Sequence, residues 1–329
     1  MRVVVTSRRF PEQDPYGDIV AKFGGELIYG NCKTEADAIA LCENADVIIG
    51  GFVPITERVM DAAESCAAIL LHSTGYDSVD VQTATYRGIP VCNTPGYAPD
   101  DIASHAMTLA LAAAHDVAQH DRRMREQNAW DRTQIDPLFG KTMGIVGFGQ
   151  IGRKLVPKAR GFDMDVIAYD PYVADDIVAT HDVELVSFDA LLERSDCISI
   201  HTPLTTLTHH RFSRNELVQM RDSAILVNTA RGPIVDESAL DWALKHGELR
   251  AAGIDVFEHE PPTNSPLMDN EDVVLTPHVA GGTQRAQDRV LALMQAELRR
   301  CFEDAPLQHV INPSVYQYTG GQVTRPDNA

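Results

Sequence analysis

The sequence predicts an α/β chain of two doubly wound domains, each a parallel sheet covered by helices on both faces. Three observations lead there. The length of 329 residues exceeds what one core of ordinary size organises and suits two. Short apolar runs rich in β-branched residues alternate with helix-length segments, the rhythm of βαβ units. That alternation is interrupted once, by a long Ala-rich stretch, and then begins again.

The first series of strands reads RVVVTS, ELIYG, DVIIGG, AAILLHS and IPVCN. Between them lie a helix closed by Gly24-Gly25, then TEADAIALCENA, TERVMDAAESC and the segment from Asp80 to Gly88, which makes about five units before residue 98. DDIASHAMTLALAAAHDVAQHDRRMREQ follows as one connecting helix, with Asp100 and Asp101 where an N-cap is favoured. The second series reads KTMGIVGFG, DVIAYD, DCISIH, SAILVNTA, RAAGIDV and DVVLTPH. After His278 comes another long helical stretch, GGTQRAQDRVLALMQAELRRCFED, and a polar tail, GGQVTRPDNA, expected to fray. The expected division is a discontinuous domain of residues 1–99 and 283–329, with residues 100–282 inserted as the other.

Composition narrows the function classes. A net charge of −19 argues against nucleic acid, whose phosphates demand a basic surface. No apolar run has the roughly 18 to 20 residues of a membrane span. MRVVVTSRRF lacks the long apolar region of a secretory signal, so a cytoplasmic protein is expected. Cys32, Cys42, Cys66, Cys92, Cys197 and Cys301 form no C-x-x-C pair and read as reduced, packed thiols. Acids lean to Asp and Lys is scarce beside Arg, a bias that fits a high-salt cytoplasm and equally an ordinary acidic enzyme. His209-His210 and the pair His115 and His120 lack companion ligands at metal spacing, so no metal is expected.

The sharpest local pattern is Gly147-Phe148-Gly149-Gln150-Ile151-Gly152, between a strand and a helix. The first glycine suits a tight turn, the second lets backbone approach a pyrophosphate, and the third allows close helix-to-strand packing, with the anion at the helix N-terminus. Eighteen residues past Gly152, Asp170 ends the next strand. A carboxylate there accepts from ribose hydroxyls and repels a 2′-phosphate, which points to NAD over NADP. Pro157, read as early in the following helix, is expected to kink it.

VGFGQIG, YDPY, HTPLT, LVNTARGPIVDESAL, AGIDVFEHEPP and LTPHVAG, with STGYDSVD and VCNTPG in the first half, resemble in order the D-isomer-specific 2-hydroxyacid dehydrogenases. YDPY, SDCISIH and the CKTE segment are most similar to the branch related to C-terminal binding proteins. The resemblance implies a flavodoxin-like substrate domain, an inserted Rossmann NAD-binding domain, a hinge near residues 99–101 and 280–284, and a homodimer built largely through the cofactor domains. It implies that Arg231 binds the substrate carboxylate, that His278 is the acid and base, and that Glu260 orients the imidazole. It assigns Asp255 to the nicotinamide carboxamide, Thr202, Pro203 and Thr208 to the adenine and ribose side, and Thr229, Ala230 and Gly281 to the nicotinamide side. Ser73, Thr74 and Gly75 would bind a carboxylate through backbone N–H groups. Asp77 and Asp80 read as turn and cap residues, and Trp130 as packing. Taken singly, an Arg after a strand, a Glu before Pro-Pro and a His after Pro are ordinary residues; their joint placement carries the reading.

Three activities compete. A 2-keto acid reductase of small or apolar substrates fits the uncharged loop Gly50-Gly51-Phe52-Val53-Pro54-Ile55. D-3-phosphoglycerate dehydrogenase shares the triad and needs cations for a phosphate, a task within reach of Arg8 and Arg9. An NADH-sensing corepressor is disfavoured because Gly281 and Gly282 stand where the animal C-terminal binding proteins have a Trp. Formate dehydrogenase pairs its histidine with Gln, where this chain has Glu260.

Overall fold

In a computed structural model that describes residues 1–7, 14–130 and 134–316, the chain divides into two compact units, Met1–Tyr97 with Gln284–Ala329, and Ala98–Thr283. Arg8, Arg9 and the polar tail lie outside the described residues.

The first unit holds five parallel strands, β1 (Arg2–Val5), β2 (Glu26–Tyr29), β3 (Val47–Gly50), β4 (Ala68–Leu71) and β5 (Val91–Cys92), in the order β2-β1-β3-β4-β5. This is the flavodoxin-like order, whose direction reverses between β1 and β3. The strands β1, β3 and β4 are almost wholly buried because helices cover both faces: α1 (Gly17–Lys22), α2 (Glu35–Leu41), α3 (Glu57–Ala62) and α4 (Val81–Tyr86). Asp80 caps α4, accepting the Thr83 N–H at 3.0 Å.

The second unit opens with α5 (Pro99–Ala114) and α6 (Val117–Gln127). The expected single connecting helix is therefore two, broken at Asp116, whose φ of +50° is left-handed. Asp100 and Asp101 are not caps either; Pro99 takes the first helical position and places both acids in the first turn, where the helix dipole favours them. Trp130, expected to pack, is 77% exposed. The sheet comprises β6 (Thr142–Val146), β7 (Asp165–Tyr169), β8 (Glu184–Leu185), β9 (Cys197–Ile200), β10 (Ile225–Asn228), β11 (Ala251–Ile254) and β12 (Val273–Leu275). All seven are parallel, in the order β12-β11-β10-β9-β6-β7-β8, the doubly wound Rossmann order with its reversal between β6 and β9. β8 is two residues long and shows no readable alternation in the sequence. Between the strands run α7 (Gln150–Arg160), α8 (Asp175–Ala179), α9 (Phe188–Arg194), α10 (Arg214–Gln219) and α11 (Glu237–Lys245); α12 (Gln284–Glu303) returns to the first unit. Pro157 lies in the last turn of α7 rather than early in it, and the helix continues through it to Arg160.

All six cysteines are free and buried. Burial pushes the thiols of Cys66, Cys197 and Cys301 up to about 12, so they remain protonated packing groups at neutral pH. Among the described residues no helix is long and apolar enough to cross a membrane, and no group of three His, Cys, Asp or Glu side chains is arranged to hold a metal.

Candidate active site

The candidate residues of the second unit share one topological address. Gly147, Asp170, His201, Thr229, Asp255 and Thr276 are each the first residue past the carboxyl end of a strand: β6, β7, β9, β10, β11 and β12. Parallel pairing brings all six strand ends to one edge of the sheet, where open α/β proteins place ligands.

The glycine loop sits at the strand reversal, and its three glycines are needed for three different reasons. Gly147 has φ +93°, and a β-carbon there would stand 2.7 Å from the His201 carbonyl oxygen, so the loop passes against the end of β9. Gly152 would place a β-carbon 2.3 Å from the Gly147 carbonyl oxygen, which makes it the close-packing position of α7. Gly149 would meet nothing within 4 Å. It is the N-cap of α7 without a side-chain cap, which leaves Gln150, Ile151 and the helix-start N–H groups beside open space. This cradle suits a pyrophosphate. Asp170 closes it from β7: Oδ2 accepts the Phe148 N–H at 2.8 Å, while Oδ1 accepts from Tyr172 at 2.8 Å and Val173 at 3.2 Å. A carboxylate with four lone-pair sites keeps capacity for a hydroxyl beyond these three.

Across the reversal, Thr202 and Pro203 follow His201. The Thr208 hydroxyl donates to the Pro203 carbonyl at 2.7 Å and accepts the Thr205 N–H at 2.7 Å, so it shapes this loop. His201 was not singled out from the sequence. Its Nε2 lies 2.9 Å from Ser199 Oγ, and burial lowers its pKa from 6.5 to about 3, leaving it a neutral imidazole. Its Nδ1 and the Thr229 hydroxyl are both shut from solvent without a partner among the described residues, at the edge where a cofactor would lie.

Arg231 is set by its neighbours. Asn228 Nδ2 donates to the Arg231 carbonyl at 2.9 Å, Asn228 Oδ1 accepts the Ala230 N–H at 3.0 Å, and one guanidinium N–H donates to the Ala230 carbonyl at 2.8 Å. Glu260 Oε1 accepts the Phe257 N–H at 3.1 Å, and its Oε2 lies 2.8 Å from His278 Nδ1. That leaves Nε2 as the imidazole's other proton site, in a side chain 44% exposed. A second unforeseen pair stiffens this loop: buried Glu237 accepts the Glu258 N–H at 2.6 Å and the Ser265 hydroxyl, while Glu258 accepts the Glu237 N–H at 2.9 Å.

Asp255 follows β11 as a buried acceptor. It is 0% exposed, and its oxygens accept from Thr276 Oγ1 at 2.6 Å and from the N–H groups of Val279 at 2.9 Å and Ala280 at 3.0 Å. Burial opposes its ionisation, yet hydrogen bonds from His105, Thr276 and these two N–H groups hold its pKa below the ordinary carboxylate value. It braces the Thr276–Gly281 turn.

In the first unit, Ser73, Thr74 and Gly75 follow β4 at the carboxyl edge. Ser73 Oγ donates to the Gly75 carbonyl at 2.7 Å and Thr74 Oγ1 to the Thr94 carbonyl at 2.9 Å, so their side chains are spent on the turn and only backbone N–H groups remain for a ligand. Val53 and Ile55 are buried, whereas Phe52 and Tyr76 stand exposed.

The sequence profile of the D-isomer specific 2-hydroxyacid dehydrogenase NAD binding domain matches residues 107–280. The D-3-phosphoglycerate dehydrogenase of Methanocaldococcus jannaschii is 35% identical over 304 residues, 91% of this chain and 58% of that protein. The glyoxylate reductase of Korarchaeum cryptofilum is 41% identical over 251 residues, 74% of this chain and 76% of that protein. The solved structure of the TT0316 protein from Thermus thermophilus superposes with a TM-score of 0.84 at 32% identity, covering 94% of this chain and all of that one.

Proposed function

This chain belongs to the D-isomer specific 2-hydroxyacid dehydrogenase family, and from that footing we propose that it interconverts a 2-keto acid and the matching D-2-hydroxy acid with NAD(H). The observation that carries the reading is the hydrogen-bonded pair of His278 and Glu260 on the same sheet edge as Arg231 and the glycine cradle. Bound NADH supplies the hydride. His278 gives its Nε2 proton to the carbonyl oxygen in reduction and takes it back in oxidation; Glu260 holds Nδ1 and stabilises the imidazolium. Arg231 binds the substrate carboxylate with its guanidinium fork, and the backbone N–H groups of residues 73–75 serve as a second carboxylate site. Gly147, Gly149, Gln150, Ile151 and Gly152 hold the pyrophosphate, Asp170 the adenosine ribose, Thr202 and Pro203 the adenine side, and Thr229, Ala230 and Gly281 the nicotinamide side. The Asp170 carboxylate selects NAD over NADP by repelling a 2′-phosphate.

An unphosphorylated substrate with an apolar or small side chain fits the uncharged loop after β3, whose one exposed large apolar side chain is Phe52. The second reading, D-3-phosphoglycerate dehydrogenase, is favoured by the identity to the Methanocaldococcus protein along 91% of this chain. A cytoplasmic homodimer completes the proposal. α6 has no buried residue, and Val117, Met124, Trp130 and Phe139 are all more than half exposed, an apolar surface that supports burial against a second copy through the cofactor unit.

The test is NADH and NADPH oxidation against glyoxylate, pyruvate, hydroxypyruvate, 2-ketoisocaproate, phenylpyruvate and 3-phosphohydroxypyruvate, at low and high salt. Turnover of unphosphorylated keto acids with NADH is expected. Turnover of the phosphorylated compound alone would select the second reading, and NADH binding with silence across the panel would reject both.

A further inference from the structure

His278 holds a left-handed backbone, φ +53°, although it carries a side chain. Such a conformation is strained for a residue with a side chain and persists where its surroundings impose it. Asp255 imposes it here. Its two oxygens accept the successive N–H groups of Val279 and Ala280, so the peptides that follow His278 converge on one carboxylate as a nest. The His278 N–H itself donates to the Asp255 carbonyl at 2.8 Å.

The same carboxylate is gripped from the other side. Thr276 Oγ1 donates its only proton to Asp255 Oδ1, and His105 Nε2 lies 3.0 Å from that hydroxyl and 3.4 Å from Asp255 Oδ1. With Nε2 protonated, His105 donates into this Thr276–Asp255 pair, in a cluster of donors that ends on the carboxylate. His105 reaches this place from α5, whose approach to β11 depends on a missing side chain. A β-carbon on Gly253 would stand 2.8 Å from Leu109 Cβ, and Leu109 lies one turn from His105 on the same helix face. Gly253 lets the helix lie against the strand two residues before Asp255.

We infer that His105 is a positioning residue for His278, acting through Thr276 and Asp255 to hold the left-handed turn that aims the imidazole at Glu260. The inference rests on the reading of His278 as the acid and base. Nothing about His105 in the sequence marks it, since it sits in a helix 173 residues away from the group it serves.

The test compares the full-length wild type with His105→Ala and His105→Gln, the latter able to donate an amide N–H near the position of Nε2. Four quantities are read: kcat, KM for the keto acid, Kd for NADH, and the downfield NMR resonance of the His278 Nδ1 proton, assigned by its loss in His278→Gln. His105→Ala is expected to lower kcat roughly tenfold and to broaden the resonance while NADH affinity holds, and His105→Gln to restore both. Wild-type kcat and an unchanged resonance in His105→Ala would overturn the inference. So would parallel losses of kcat and NADH affinity that Gln does not rescue, because those report general damage. If His105→Ala does not fold, Thr276→Val with Thr276→Ser as its rescue makes the same comparison. The resonance needs no substrate, so a wild type silent on keto acids would reject the proposed activity and still leave the positioning role decided by NMR.

Discussion

Gly232 lies against Phe257 so closely that a β-carbon on it would stand 1.9 Å from the Phe257 carbonyl carbon and 2.4 Å from the Glu258 nitrogen. The contact locks the turn that carries Arg231, after β10, to the loop that carries Glu260, after β11. Backbone cannot yield as a flexible side chain can. Gly232→Ala is therefore expected to destabilise the protein by at least about 3 kcal/mol, the upper range for overpacking, and to remove activity. Urea unfolding with wild-type midpoint would refute this account.

Two other glycines separate stability from binding. Gly152→Ala meets the Gly147 carbonyl at 2.3 Å and should lower the melting temperature. Gly149→Ala meets nothing within 4 Å, so it should melt with the wild type and instead weaken NADH binding, by shielding the start of α7 from the pyrophosphate. Equal NADH affinity in Gly149→Ala and wild type would remove the pyrophosphate from this loop.

The pair of His278 and Glu260, joined at 2.8 Å, predicts a graded loss. His278→Ala should lower kcat by about 10² to 10⁴-fold, the range of general acid-base catalysis, and Glu260→Gln by less, with NADH affinity retained in both. Steady-state kinetics beside fluorescence titration of NADH checks it; near wild-type turnover in His278→Ala would end the assignment.

Asp170→Ala removes the carboxylate expected to exclude a 2′-phosphate. NADPH turnover should rise relative to NADH, at some loss of stability because the Phe148, Tyr172 and Val173 N–H groups lose their acceptor. An unchanged cofactor ratio would mean that another group discriminates.

His201 makes stability depend on pH. Its folded-state pKa is depressed to about 3 by burial against an ordinary value of 6.5. Between those values the unfolded chain binds a proton that the folded chain refuses, so this contribution is whole above pH 6.5 and is withdrawn as pH falls, by up to about 1.4 kcal/mol per unit. Unfolding free energy measured from pH 6.5 to pH 5, before most carboxylates titrate, should fall less steeply in His201→Gln than in the wild type. Equal slopes would show that the imidazole titrates freely.

How much of this molecule could be read from its sequence depends on the range of the interaction concerned. Strand runs such as TMGIV, the glycine loop and the order of the segments ending in Arg231, Glu260 and His278 are local patterns, set by side-chain period, turn chemistry and spacing. They sufficed for two parallel sheets, a glycine loop at a strand reversal and the meeting of His278 with Glu260. The break at Asp116, the exposure of Trp130, the bond between Glu237 and Ser265 and the neutrality of His201 were not legible, because each depends on what packs there from elsewhere in the chain. Asp255 draws the boundary most sharply. Its motif marked it as important, but only the folded sheet, by bringing His105, Thr276, Val279 and Ala280 around one buried carboxylate, made it the brace of the turn that follows His278. A sequence displays the donors and acceptors a chain has; which of them meet is decided when distant segments are pressed together and every buried polar group must find a partner.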